Sequence, residues 1–66
     1  MDFQEELKKA LDRIDELSVL LNTLNRVVGK QDWAAAYTIS RQIGMKATTI
    51  MDCFSNINFI MKEEGR

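Results

Sequence analysis

The segment Trp33-Ala-Ala-Ala-Tyr-Thr-Ile-Ser-Arg-Gln-Ile-Gly-Met-Lys-Ala-Thr-Thr-Ile-Met-Asp-Cys-Phe-Ser-Asn-Ile-Asn-Phe-Ile-Met61 carries a row of apolar or small residues: Trp33, Ala36, Ser40, Ile43, Ala47, Ile50, Phe54, Ile57 and Met61. The steps alternate three and four, which is the seam of a helix that packs on other helices. The spacing predicts a helix over about 33–63. Its row is slim in the first half and bulky in the second.

Upstream, Gly29-Lys-Gln-Asp32 breaks the pattern. Gly29 suits the left-handed residue that closes a helix, and Asp32 suits the N-cap of the next. Before it, Asp2 to Val28 reads as a first helix, over about 2–28. Asp2 would cap it, with Glu5 three residues on as in a capping box. Acids at its start and Arg26 and Lys30 at its end suit the helix dipole. Its row is Phe3, Leu7, Ala10, Ile14, Leu17, Leu21, Leu24 and Val28. Glu5 and Lys9 form a favourable i,i+4 pair, and Asp12, Arg13, Asp15 and Glu16 form a solvated face. A connection this short makes the helices antiparallel neighbours.

Folding the chain at that turn brings together residues whose numbers sum to roughly 61, because both helices rise equally per residue. Leu24 then faces Ala36 or Tyr37, Leu21 faces Ser40, Leu17 faces Gly44, Ile14 faces Ala47, and Ala10 faces Ile50 or Met51. Large against small is what close packing asks for. On this reading Gly44, which costs a helix about 1 kcal/mol relative to Ala, lets the helices approach. Leu11, Leu20 and Val27 on the first helix, and Ile39, Met45, Cys53, Phe59 and Ile60 on the second, fall outside the seam. They are too many for a monomer, so the expectation is an all-α antiparallel hairpin that self-associates, with Leu11, Leu20, Val27, Ile39, Cys53, Phe59 and Ile60 as the second contact surface.

Composition narrows the function. A chain of 66 residues is one domain, spanning 1–66, and a lone core of that size rarely supplies more than ~3–5 kcal/mol. With one cysteine and no histidine, an internal disulfide and the usual zinc sets are excluded. That leaves oligomerisation, a dimer first, as the source of further burial. A net charge of −1 weighs against a nucleic-acid binder that relies on bulk positive charge. No apolar run approaches a membrane span, the first residues lack the features of a signal peptide, and one free thiol fits a reducing cytoplasm.

Residues Ile39–Phe54 resemble a helix-turn-helix motif, with Ser40, Gly44 and Ile50 at its small, glycine and apolar places. The resemblance covers about a quarter of the chain and follows a loose pattern. It implies a three-helix domain broken at Gly44, with Lys46, Thr48, Thr49 and Asp52 facing DNA. The implied recognition helix holds Asp52 and no basic residue between Lys46 and Lys62, which is poor for phosphate contact. Leu11-Asp-Arg-Ile-Asp-Glu-Leu17, followed by Leu20, Leu21, Asn22 and Arg26, resembles the leading helix of small all-helical chorismate mutases. That family needs a third helix and several converging cations, whereas only Arg41 and Lys46 follow here. A charged outer face accounts better for these residues.

Cys53 has no histidine base, so a buried thiol is expected rather than a nucleophile. Asp12 and Glu16 make too weak a pair for a metal. Trp33, Tyr37 and Arg41, spaced i, i+4, i+8, are types enriched at interface hot spots and able to hold an anion. Trp33 is expected to close the end of the bundle, leaving Tyr37 and Arg41 as the better candidates for partner or ligand contact. The reading that follows is a non-enzymatic, cofactor-free adaptor or inhibitor working as a homo-oligomeric bundle on a protein partner. Behind it stand a helix-turn-helix regulator and an oligomer that sequesters a small anion near Tyr37 and Arg41. Small proteins of this kind often come from phages or mobile elements.

Overall fold

The apolar spacing closes into two helices, α1 (Phe3–Gly29) and α2 (Trp33–Gly65), in a computed structural model that describes residues 3–65. The structure is 95% helical, and the two helices pack on each other as an antiparallel hairpin. The rod measures 51 × 14 × 14 Å, the length of α2 at ~1.5 Å per residue. The capping role expected of Asp2 lies outside the described residues. Lys9 pairs with Glu6 at 3.5 Å, one residue nearer than the expected Glu5.

The turn works differently from the glycine stop read in the sequence. Gly29 stays inside α1, and no glycine has positive φ. Gln31 takes the left-handed conformation instead, at φ 58°. The Asp32 amide donates to the Val27 carbonyl (3.0 Å) and the Gln31 amide to the Val28 carbonyl (2.9 Å). These two bonds are the Schellman closure of a helix, with its left-handed residue at position 31. Asp32 also caps α2, as expected: its Oδ1 accepts from the Ala35 amide at 3.1 Å and its carbonyl from the Ala36 amide at 3.0 Å. One residue thus closes α1 and opens α2, which fixes their phase. A glutamine in the left-handed region is strained in a way glycine is not. Gln31→Gly is therefore expected to raise stability by roughly 1 kcal/mol and Asp32→Ala to lower it by about 1 kcal/mol, both readable by urea titration followed by circular dichroism.

The register agrees with the reading. Lys46 reaches Glu16 (Nζ–Oε1 2.6 Å) and Asn56 donates to Glu6 (3.4 Å), two pairs whose numbers each sum to 62. The faces are rotated, however. In α2 the inward row keeps Ala36, Ile43, Ile50 and Ile57 but alternates them with Ile39, Lys46, Cys53 and Ile60. Ser40, Phe54 and Met61 are exposed, and Ala47 stays half-buried. In α1, Leu20 and Val27 are half-buried where Leu21 and Val28 were expected. Among the described residues the buried hydrophobic ones are Ala10 (0% exposed), Cys53 (3%) and Ile60 (7%). Both candidate rows in α2 are apolar enough to serve. The one chosen buries two isoleucines and the thiol and lets the Lys46 stem cross to Glu16.

This rotation corrects two expectations. Gly44 does not receive Leu17: it is exposed, and a Cβ built on it meets nothing within 4 Å. Nor does it break the helix, since α2 runs unbroken from Trp33 to Gly65. The three-helix alternative with a bend at Gly44 therefore falls. The hydroxyls of Thr48 and Thr49 donate to the carbonyls of Gly44 (3.0 Å) and Met45 (3.2 Å), the back-bonding of Thr within a continuous helix.

Candidate functional site

A helix that gives one stripe to its partner keeps two flanks, and in an antiparallel pair the flanks reached by turning the same way lie on one side of the rod. On one side α1 presents Leu7, Leu11, Ile14, Ser18, Leu21, Asn25 and Val28, and α2 presents Trp33, Tyr37, Ser40, Gly44, Ala47, Met51, Phe54, Asn58 and Met61. Each row steps by alternating four and three, the spacing of a further helix-packing seam. None of these positions is charged, although 29% of the chain is. Most of the exposed large hydrophobics stand here, with Tyr37 at 66% and Met51 at 70% exposure.

The opposite side carries charged groups, with Val19, Met45 and Phe59 exposed among them. Arg13, Glu16, Val19, Leu20, Gln42, Met45, Lys46 and Thr49 line an open groove of ≈ 640 Å³. Glu16 is its centre, with Lys46 on one oxygen and Arg13 on the other at 3.0 Å. The Lys46 hydrogen bond holds the Glu16 carboxyl below its ordinary value of 4.5, against desolvation and helped by the charge of Arg13. Both cations share the one carboxylate of Glu16. Further along, Phe59 and Ile60 line a smaller recess beside Asn56, Glu63 and Glu64.

The residues singled out from sequence divide accordingly. Ile39, Cys53 and Ile60, read as a second contact surface, are buried or half-buried in the hairpin's own core, as are Leu20 and Val27. Leu11 remains exposed on the charge-free side and Phe59 (66% exposed) on the opposite side. Trp33 does not close the end of a single hairpin, being 64% exposed. Tyr37 is exposed beside it, and Arg41 is exposed too, on the outermost line of α2. Lys46, Thr48 and Thr49, the candidates for DNA contact, are engaged by Glu16 or by their own helix. Among the described residues no three metal-ligating side chains cluster, and no helix is long and apolar enough to cross a membrane.

Cys53 sits where Glu6, itself largely covered at 12% side-chain exposure, approaches from α1. Burial, then the Glu6 charge, push the thiol above its ordinary value of 9.0. A thiol raised in this way contributes stability below its unfolded value and loses it as pH rises through the folded one. The neutral form is a poor nucleophile. Iodoacetamide at pH 8 should therefore alkylate the folded protein at least ~10-fold more slowly than the chain in urea; equal rates would place the thiol at the surface.

What sequence reasoning missed was Met51, Ser40, Gly44, Ala47 and Asn58 as part of a surface. The signal that could have found them is the absence of charge along two parallel rows, which hydrophobicity alone did not single out. No protein-family model, curated protein or solved structure matches the chain.

Proposed function

We propose that this protein is a non-enzymatic protein-interaction module, an adaptor or inhibitor, that works as a homo-oligomeric bundle of helical hairpins in the cytoplasm. The observation that supports it is the charge-free side: two helix-packing rows side by side, rich in exposed Leu, Met and aromatic groups. Contiguous apolar surface of this kind marks an interaction site. In the groove on the other side, Arg13 and Lys46 are both engaged by the single carboxylate of Glu16. A helix-turn-helix role loses its structural basis with the unbroken α2, and Lys46 is occupied. Neither Tyr37 nor Arg41 lines either of the two recesses described above.

Sedimentation equilibrium from about 1 to 100 µM is the test, since a dimer of micromolar Kd changes mass across that range. Mass at or above twice 7.6 kDa supports the reading. A monomer throughout defeats it.

A further inference from the structure

The outer row of α2 fits its own reverse. We propose that a second copy of this chain docks on the charge-free side through a two-fold axis at Ala47, so that α2 packs antiparallel on α2 of the second copy. This rests on the proposed self-association and names its partner surface and register.

The register comes from residue size. With the axis at Ala47, positions that meet have numbers summing to about 94, since antiparallel helices of equal rise pair symmetrically about the axis. Phe54 of each copy then lies over Ser40 of the other. Met51 lies over Gly44, Met61 over Trp33, and Ala47 over Ala47. At the Ser40 and Gly44 levels a slim residue receives a bulky one, and at Ala47 two slim residues let the helices approach on the axis, as close packing requires. The arrangement also explains Gly44. Inside the hairpin a glycine there destabilises α2 and nothing approaches it. In the dimer it is the hollow for a methionine.

The area agrees. The hairpin exposes 5135 Å², whereas a compact monomer of 7.6 kDa should expose about 4,300 Å². The surplus, about 800 Å², goes with the elongated 51 × 14 × 14 Å rod and matches in size one partner's share of a standard stable interface. The two α2 helices overlap from Trp33 to Met61.

The test is a size swap. Gly44→Met and Met51→Gly should each weaken dimerisation by at least about tenfold, one by overfilling the hollow and the other by emptying it. The double variant should return to within about threefold of the wild type, its helix propensities also balancing. Positions 44 and 51 are two turns apart in one helix, so only contact between copies can couple them. Independently, Ala47→Cys in a Cys53→Ala background should oxidise to a cross-linked dimer, and Thr48→Cys should not, with circular dichroism confirming both folded. A dimer indifferent to Gly44→Met, or one without the Ala47→Cys cross-link, overturns the register while leaving self-association standing. A wild-type monomer overturns both.

Discussion

Met51→Lys is expected to take the assembly apart while leaving each hairpin intact. In a single hairpin Met51 is 70% exposed, more than any other large hydrophobic residue described, and exposed substitutions away from special features change stability by no more than about 0.5 kcal/mol. In the proposed dimer the same position faces another copy. An ammonium buried there without a carboxylate costs several kcal/mol, and a symmetric interface carries the change twice. At ~1.4 kcal/mol per tenfold, Kd should rise by at least about 100-fold. Sedimentation should then show monomer at concentrations where the wild type associates, with an unchanged helical spectrum. The melting temperature of the wild type should climb with concentration, because association stabilises the folded state, and that of the variant should not. Association as tight as the wild type's would remove the charge-free side as the interface.

The hairpin was legible because two long apolar rows flank a four-residue break, and the register because both helices rise alike. The rotation about each helix axis was not legible. At positions 39, 53 and 60 the sequence offers Ile, Cys and Ile, and one step on at 40, 54 and 61 it offers Ser, Phe and Met. Both rows are hydrophobic enough, and hydrophobicity alone favours the one holding Phe54. The inward row goes with a turn in which Gln31 rather than Gly29 is left-handed and with the Lys46–Glu16 pair across the helices. Neither a left-handed glutamine nor an ion pair between residues thirty apart is visible to local pattern. With the other row inward, Cys53 and Ile60 would face outward and Met51 and Phe54 toward the core. Surplus apolar surface exists either way, because it depends on how many such residues there are and not on which way they face.

Ala10→Leu should damage the fold itself. Ala10 is fully buried, at 0% exposure, and lies by register at the level of Asp52 and Cys53 of α2. Three added carbons have no room there unless the helices part, and overfilling a packed core costs about 1–3 kcal/mol. For a core that supplies only ~3–5 kcal/mol in all, that is a large fraction. In a domain of this size each kcal/mol moves the melting temperature by roughly 4–8 °C, so a fall of about 10 °C is expected, measured by circular dichroism at low protein concentration. Leu11→Ala, one residue on, is the companion measurement. Leu11 is 52% exposed on the charge-free side, so its truncation should leave the dilute melting temperature nearly unchanged and weaken association instead. The two neighbours thus separate the forces holding the hairpin from those holding copies together. If Ala10→Leu were as stable as the wild type, the helices could not be in close contact at position 10, and the inward row of α1 would have to be redrawn.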